Sequence, residues 1–382
     1  MRISYVARST VPSRTANSIH AMRMSAAYAS LGHSVSLVLP RFRAWEERGI
    51  QDLHGYYGVP ADFRIRRLPS PRSGPLSSLA LGLLLPAVAA AGRPHFVHCR
   101  SLGACWGLTR AFRLPTLLEL HRPPPAGRPR HLLQGALASG RVVGVVVITE
   151  ALARLMREHV PASVPLIVEP DAVEAAWVES ELSQEDARRG LGLSEEHRSI
   201  VVYTGHLYAG RGIELVLEAA RSLPRHLFML AGGGDAYVES TRRLAADLDN
   251  VEVVGFVPPA TVFAYLRAAD VLIMPYGRSI AVSGGGDTAA FASPLKMFEY
   301  MAAGRPLLSS DLPVLREVLA DGVNCRLLPP DEPTAWVAAL TELTEKPETG
   351  MAWGERARSD AARYTWRARA SRLVDRVSEL IR

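Results

Sequence analysis

Short, uninterrupted apolar runs recur along the chain and alternate with stretches of helical periodicity. Runs of this kind, without polar alternation, are typical of strands covered by helices on both faces. The alternation therefore predicts βα units around a mostly parallel sheet, an α/β fold. In the first half the strand-like runs are RISYVA (2–7), SVSLVLP (34–40), FRIRRLP (63–69), FVHCRS (96–101), PTLLELH (115–121) and VVGVVVIT (142–149). The Pro-rich segment 122–130 is expected to be a surface loop.

The same pattern restarts after a polar helical stretch at 183–197. A chain of 382 residues is long enough for two domains. We predict one unit over 1–180, a second over 181–363, and a last helix over 364–382. Two doubly wound units that face each other would form a cleft at the carboxyl ends of their strands, where ligands of such sheets bind. The second series of strand-like runs is SIVVYTG (199–205), HLFMLAG (226–232), NVEVVGF (250–256), ADVLIMPYG (269–277), PLLSSD (306–311) and NCRLLPP (324–330).

Positive charge is concentrated in the first half. Residues 1–180 hold 21 basic and 11 acidic residues, and the remainder holds 23 and 27. This excess indicates an anionic partner, and an acidic lipid surface, a phosphorylated acceptor and nucleic acid all fit it electrostatically. No nucleic-acid-binding motif accompanies the basic residues, so nucleic acid is not an expected partner.

Three features bear on location. Cys99, Cys105 and Cys325 form no CxxC pair, which favours a reducing compartment. The chain runs from its first residues into a strand without a signal-peptide pattern, so a cytoplasmic location is expected. The apolar stretch 76–91 is shorter than the roughly 20 residues that span a bilayer. We expect it to be a covered core helix, with a membrane-docking surface as the alternative.

The segment YTGHLYAGRGIELVLEAA (203–220) has the pattern of a strand, a glycine-containing loop and a helix. Such a loop places backbone N–H groups and Arg211 around a helix N-terminus, where a phosphate can bind. Taken alone, the segment is equally compatible with a tight turn and a solvated arginine.

A second candidate is ASPLKMFEYMAAGRPLLSSDLP (292–313), which predicts a helix that starts near Pro294 and ends at Gly304. Lys296 and Glu299 are three residues apart and share one side of this helix. A carboxylate such as Glu299 can accept two ribose hydroxyls, and Lys296 with the first-turn N–H groups can bind a diphosphate. The alternative is an ordinary surface salt bridge between the two side chains.

Together these segments resemble the donor-binding domain of retaining GT-B glycosyltransferases, in particular glycosyltransferase family 4. The resemblance is also carried by AGGGD (231–235), GFVP (255–258) and ADVLIMPY (269–276), and more loosely in the first half by GHSVSLVLP (32–40) and LELH (118–121). The final WRARASRLVDRVSELI (366–381) resembles the family's closing helix, which returns to the N-terminal domain.

The resemblance implies two Rossmann-like domains and a reaction: transfer of a sugar from a nucleoside diphosphate donor to an acceptor hydroxyl with retained anomeric configuration. Arg211 would balance charge on the departing diphosphate and Glu299 would hold the ribose. Preorganised cations and N–H donors are well suited to stabilise that charge. The other implied donor-site residues are Gly205, His206, Val257, Ser293, Pro294, Leu295 and Lys296.

The chain departs from the family pattern at three places. Many relatives have arginine where this chain has His206, which would supply a full charge only with a raised pKa. Phe291 stands where relatives often carry a glutamate that contacts the donor sugar. The loop after the first strand lacks the usual glycine pair, so Ser13, Arg14 and Asn17 would have to approach the diphosphate or the acceptor.

His121 ends a strand at the predicted cleft and resembles the family histidine near the reacting sugar. Glu119, on the same face of the strand, could orient it. On the acceptor side we add His20 and Arg100 to Ser13, Arg14 and Asn17.

No metal or other cofactor is expected. Asp247-Leu248-Asp249 resembles a metal-binding DxD motif but precedes Asn250 near a predicted helix end, away from any strand terminus. Expected partners are a nucleotide sugar, a hydroxyl-bearing glycan, lipid-linked or small-molecule acceptor, and anionic membrane. Two alternatives stay open: a sugar-nucleotide epimerase of similar architecture, and a non-catalytic module with a degenerate donor site.

Overall fold

The computed structural model describes residues 1–71, 74–193, 199–281 and 286–381, and within them the chain forms two compact units. Unit 1 comprises Met1–Asp171 and the closing segment that begins at Trp366, and unit 2 comprises Ala172–Thr365. Unit 2 begins earlier than residue 181 because the segment after Ala172 packs on it. The Arg358 guanidinium donates hydrogen bonds to the carbonyl oxygens of Val178 and Ser180, at 2.7 and 2.5 Å.

Unit 1 is built on seven parallel strands, as the apolar runs predict. They are β1 (Arg2–Ala7), β2 (Ser34–Arg41), β3 (Arg64–Pro69), β4 (Phe96–Arg100), β5 (Thr116–Leu120), β6 (Val142–Val147) and β7 (Leu166–Val168). Their order is β3-β2-β1-β4-β5-β6-β7, a doubly wound arrangement. β7 has no counterpart among the predicted strands, because it is only three residues long.

Several helices of unit 1 begin after a residue whose side chain caps the helix N-terminus. Thr15, Ser101 and Thr149 each accept a backbone N–H of the first turn that follows them. One helix starts inside the predicted loop 122–130, at Arg128, because Pro129 lies in its first turn, where a missing N–H costs nothing. The helices are α1 (Ala16–Ser30), α2 (Leu53–Tyr57), α3 (Gly74–Leu79), α4 (Leu85–Ala91), α5 (Leu102–Arg110), α6 (Arg128–Leu137) and α7 (Glu150–Met156).

The apolar stretch 76–91 is not the covered core helix that its composition predicts. It runs through α3, a π turn at Ala80–Leu84, and α4. Leu81 and Leu85 are buried, but other leucines of the stretch are 40–68% exposed. These form the exposed leucine face: Leu76, Leu79, Leu83 and Leu84. Among the described residues, no helix is both long enough and apolar enough to cross a bilayer.

Unit 2 has six parallel strands: β8 (Ile200–Thr204), β9 (Leu227–Ala231), β10 (Val251–Gly255), β11 (Val271–Met274), β12 (Leu307–Ser310) and β13 (Arg326–Leu328). Their order is β10-β9-β8-β11-β12-β13, again doubly wound. The prediction of two parallel α/β units is confirmed. The helices of unit 2 are α8 (Ala175–Val178), α9 (Gln184–Gly190), α10 (Ile213–Ser222), α11 (Asp235–Leu244), α12 (Val262–Ala268), α13 (Leu295–Ala303), α14 (Pro333–Glu345) and α15 (Glu348–Ala361), after which α16 (Trp366–Leu380) packs on α1 in unit 1.

The π turn packs closely on α5 through glycine. The backbone carbonyl of Gly82 lies against the α-carbon of Gly107, so a methyl group at position 107 would overlap it. That methyl would also lie 2.9 Å from the Pro86 side chain. Gly103, on the same helix, has space for a methyl at 3.7 Å from Leu81.

We predict that Gly107→Ala lowers the free energy of unfolding by about 1–3 kcal/mol, since a side chain forced into a packed contact displaces its neighbours. Gly103→Ala is the matched control and should keep or slightly raise stability, because alanine favours a helix. Urea unfolding of both variants measures the difference. Equal stabilities would contradict the close approach of the π turn and α5.

Candidate active site

In unit 2 the strand order reverses between β8 and β11, the place where doubly wound sheets bind ligands. The loop Gly205–Gly212 follows β8, and Pro275 and Tyr276 follow β11. Gly212 has φ 75°, and a side chain there would overlap the Pro275 carbonyl. Glycine therefore lets the two loops approach at the switch point.

Arg211 lies inside this site. Its guanidinium carbon is 5.0 Å from the centre of the Tyr276 ring, and its Nη2 donates to the Ala281 carbonyl at 3.4 Å. Its Nε is buried and has no hydrogen-bond partner within the described ranges. Arg211 is therefore not the solvated arginine that the loop sequence also allowed.

Lys296 enters the same site from α13. Its ammonium is buried, 3.7 Å from the centre of the Tyr203 ring and 5.1 Å from that of Tyr276. Among the residues that the structure describes, this ammonium has no hydrogen-bond partner. Burial and the Arg211 charge together hold the pKa of Lys296 well below its usual value. The cation–π contact with the Tyr203 ring compensates only part of the hydration that the buried ammonium loses.

Two more of the predicted donor-site residues, Gly205 and Glu299, act on these cations. A side chain at Gly205 would lie 3.0 Å from the Lys296 ammonium, so glycine leaves room for that group beside the backbone. Glu299 acts electrostatically on Lys296 and on Tyr276, which Arg211 also contacts. Arg211 and Lys296 thus both lie about 5 Å from the ring of Tyr276.

The start of α13 completes this part of unit 2. Pro294 precedes the first helical residue, Leu295, and Ser293 is buried beside them. The helix ends at Gly304 with φ 65°, as predicted. Val257 is also buried, after the end of β10. The glycine-rich segment 283–288 has its residues 283–285 outside the described ranges.

In unit 1 the carboxyl ends of β4 and β5 form a buried charge network around Glu119. Its Oε1 lies 2.5 Å from His121 Nε2 and 3.0 Å from His20 Nε2. Its Oε2 lies 2.7 Å from His98 Nε2 and 3.2 Å from Arg369 Nη2. Burial alone would raise the pKa of Glu119, but Arg369, His20 and His121 outweigh it and hold the pKa well below its usual value.

The hydrogen bonds of His121 define its tautomer. Arg100 Nη2 lies 3.1 Å from His121 Nδ1, and because arginine can only donate, Nδ1 is the acceptor. The ring hydrogen is therefore on Nε2, which donates to Glu119. Glu119 orients His121, as the sequence suggests, and both ring nitrogens are engaged.

Arg369 reaches this network from α16. Its side chain is fully buried and donates to the carbonyl oxygens of Pro170 and Glu169 as well as to Glu119. Arg369 and Glu119 are 250 positions apart in sequence. The last helix therefore supplies the cation that keeps the buried carboxylate ionised.

The ligand-type atoms of His20, His121 and Asp171 lie within 4.8 Å of one another, close enough for a metal ion. Glu119 Oε1 already lies within hydrogen-bond distance of both imidazole nitrogens. Burial and the Arg100 charge lower the pKa of His20, and burial raises that of Asp171. The two imidazoles of this group are thus directed at the Glu119 carboxylate, and Asp171 lies 3.4 Å from His20 Nε2.

The structure brings only part of the predicted acceptor group together. His20 and Arg100 both belong to the Glu119 network. Ser13 and Arg14 have other contacts: the Ser13 hydroxyl bonds to those of Thr15 and Ser18, and Arg14 pairs with Glu47 at 3.1 Å. Asn17 donates to the carbonyl of Arg8 at 3.0 Å.

Several members of these clusters are absent from the predicted site: Tyr5, His98, Asp171, Tyr203, Tyr276 and Arg369. His98 carries a detectable signal, since it shares a strand face with Arg100, as Glu119 does with His121. Tyr5 is directly opposite His98 on the neighbouring strand. Arg369 carries no such signal, because its position depends on where α16 packs.

Comparison with known proteins identifies the relatives of the chain. The family described as "Glycosyl transferases group 1" matches residues 198–346, and the "Glycosyl transferase 4-like domain" matches residues 18–172. A D-inositol 3-phosphate glycosyltransferase of Corynebacterium urealyticum is 27% identical over 223 residues, 55% of this chain and 50% of that protein. The chain thus spans about half the length of the curated relatives it matches.

Solved structures share the fold over nearly the whole chain. A glycosyltransferase from Rickettsia africae has a TM-score of 0.76 at 11% identity, covering 100% of this chain and 99% of that one. HepE from Anabaena, in complex with UDP, has a TM-score of 0.71 at 16% identity, with 99% and 100% covered.

We predict that Arg369→Met lowers the free energy of unfolding by about 3–5 kcal/mol, because it leaves the Glu119 charge buried without its cation. Arg376→Met, on the same helix, is the control. Arg376 forms an exposed pair with Glu379, so its loss should cost no more than about 1 kcal/mol. Chemical denaturation followed by circular dichroism measures both.

The difference in the free energy of unfolding between wild type and Arg369→Met should also become smaller at acid pH. The low pKa of Glu119 stabilises the fold above the unfolded-state carboxyl pKa, and this stabilisation is lost as the pH falls through the folded-state value. Without Arg369 the carboxylate is protonated at a higher pH, which removes the buried charge. A loss of stability that does not change with pH would contradict this role of Arg369.

Proposed function

Because the chain belongs to the group 1 glycosyltransferases of the family 4 type, we propose that it transfers a sugar from a nucleoside diphosphate donor to an acceptor hydroxyl, with retention of anomeric configuration. Unit 2 binds the donor and unit 1 the acceptor in this proposal. No metal ion takes part in this proposal, because cationic side chains of the protein bind the leaving group.

The observation that carries the proposal is positive charge in unit 2 without a hydrogen-bonded counter-ion. The Lys296 ammonium and the Arg211 Nε are buried and have no hydrogen-bond partner among the described residues. Burying such groups is costly unless something pairs with them. An anion bound at the switch point of the sheet would supply the missing acceptors, and a diphosphate has enough oxygens for both cations.

These groups also suit the chemistry. Breaking the bond between the sugar and the diphosphate leaves negative charge on the phosphate oxygen. Arg211, Lys296 and the backbone N–H groups in the first turn of α13 can stabilise that charge without rearranging. Glu299 accepts hydrogen bonds from the ribose hydroxyls, and Val257 lies beside the base.

On the acceptor side we assign His121 to positioning rather than to proton transfer, because both of its nitrogens are engaged. It orders Arg100, whose Nη1 is buried and has no hydrogen-bond partner within the described ranges. We infer that Arg100 and Asn17 contact the acceptor. The basic character of unit 1 favours a phosphorylated or lipid-linked glycan or polyol, as in glycolipid or surface polysaccharide synthesis. We place the reaction in the cytoplasm, consistent with three buried, unpaired cysteines.

We predict that Arg211→Met lowers the transfer rate by at least about a hundredfold, because one preorganised donor to the leaving group is lost. Glu299→Gln should weaken nucleotide binding. Arg221→Met is the control, since Arg221 is on the exposed side of α10 and pairs with Asp247. Acceptor-dependent nucleotide release, measured with EDTA present, gives the rates, and NMR of the product gives the anomeric configuration.

Three results would redirect the proposal. Wild-type turnover in both site variants would contradict the roles of Arg211 and Glu299. Isomerised sugar nucleotide formed without acceptor would identify an epimerase. A folded protein that shows no thermal shift with UDP, GDP, ADP or dTDP sugars would favour a non-catalytic module.

We also propose peripheral contact with an anionic membrane through the exposed leucine face. The leucines of this face are spaced three or four residues apart or adjacent, so in a helix they would lie on one side. They belong to unit 1, the unit with the excess of basic residues. An exposed apolar helical face, in a unit with an excess of basic residues, fits binding to an anionic lipid surface.

We predict that wild-type protein sediments with vesicles containing phosphatidylglycerol, less so at high salt. Leu79→Ser combined with Leu83→Ser should reduce this binding several-fold, while the matched pair Leu155→Ser and Leu244→Ser, also exposed, should not. Equal sedimentation of the two double variants would exclude the leucine face. No sedimentation at any salt concentration would exclude membrane contact.

A further inference from the structure

His206 is held in a defined orientation at the end of β8. The Tyr203 hydroxyl donates to the backbone carbonyl of His206 at 2.6 Å. The imidazole stacks on Tyr208, with ring centres 4.7 Å apart and planes 6° from parallel. Tyr208 in turn packs edge-on against Tyr237 of α11. The backbone of His206 is thus held by Tyr203 and its ring by Tyr208.

The charges that act on this ring are positive. They come from Arg211 on its own loop and Lys296 on α13. His206 Nδ1 is buried without a hydrogen-bond partner among the described residues. Burial, Arg211 and Lys296 together lower the pKa of His206 to about 4. Around these groups lie the tyrosines Tyr203, Tyr208, Tyr237 and Tyr276 and the carboxylate Glu299.

In the free protein, therefore, His206 is neutral near pH 7. The full positive charge that an arginine would have at this position is absent from the unliganded site. A third buried cation beside Arg211 and Lys296 would add like-charge repulsion to an already costly cluster.

A bound diphosphate would reverse these conditions. Its negative charges offset those of Arg211 and Lys296, and its oxygens can accept a hydrogen bond from His206 Nδ1. Both changes favour the protonated imidazole. We propose that His206 is a third diphosphate ligand that takes up a proton from solvent when the nucleotide binds and returns it when the nucleotide leaves.

This inference rests on the proposed donor site and adds to it a proton-coupled binding step. The third charge is present only while the diphosphate is there to balance it. When the product leaves, the imidazole becomes neutral again and the empty site holds less unpaired charge. An arginine cannot act in this way, because it stays protonated.

The test is calorimetry of UDP and GDP binding between pH 6.5 and 8, in buffers of different ionisation enthalpy. Wild type should take up close to one proton more per nucleotide than His206→Gln or His206→Arg. As the pH rises, the affinity of wild type for the nucleotide should therefore fall. The factor of this fall per pH unit should be up to about tenfold larger than that of either variant. The proton that the nucleotide itself exchanges is common to all three proteins and cancels in the comparison. His131→Gln, an exposed histidine in unit 1, is the matched control and should behave as wild type.

Equal proton uptake by wild type and both variants would overturn this inference while leaving the donor site intact. His206→Arg serves as the second variant, because it keeps a cation at the position if His206→Gln folds poorly. A folded wild-type protein that binds none of UDP, GDP and inorganic pyrophosphate would instead remove the donor site, and this inference with it.

Discussion

Unit 2 holds a buried ammonium, that of Lys296, which has no hydrogen-bond acceptor among the described residues, and the proposed donor site depends on it. The Lys296 ammonium is buried between the Tyr203 ring and the backbone of Gly205, where a side chain would lie only 3.0 Å from it. The interior of a protein disfavours such a charge unless it is paired. Its retention at the switch point of a parallel sheet is understandable if an anion completes the site. The glycines at 205 and 212 serve the same end, since they let the loops and the ligand approach the two cations.

Unit 1 uses buried charge in the opposite way. Glu119 is surrounded by histidines and Arg369, so its charge is met inside the protein. That network has no need of an outside ion and instead fixes the side chains at the ends of β4 and β5. Among the described residues, the buried ammonium of unit 2 thus lacks a hydrogen-bond acceptor, whereas the buried carboxylate of unit 1 has its cation within the protein. The division fits a reaction in which the negative charge develops on the donor rather than on the acceptor.

Much of the fold was predictable because its signals are local. Strand positions follow from apolar runs, and parallel pairing follows from the intervening helices. The prediction for 76–91 failed because tertiary packing decides how much of a helix is covered, and the one for 122–130 failed at a local helix start. The 76–91 stretch has the composition of a core helix, but its π turn packs on α5 by one face and leaves the exposed leucine face uncovered. The loop predicted over 122–130 is shortened by α6, whose first turn accommodates Pro129.

The sequence by itself determined that Arg211 in unit 2 and His121 in unit 1 follow the carboxyl ends of strands. It also determined that Glu299 lies in a helix of unit 2, α13. It could do so because strand direction and side-chain alternation are properties of neighbouring residues. Only the tertiary structure decided how those side chains are charged and paired. His206 is neutral near pH 7 because burial, Arg211 of its own loop and Lys296 of α13 lower its pKa to about 4. Glu119 is ionised because α16 returns Arg369 to it. Burial and electrostatic environment are set by residues distant in the chain, so no local pattern records them.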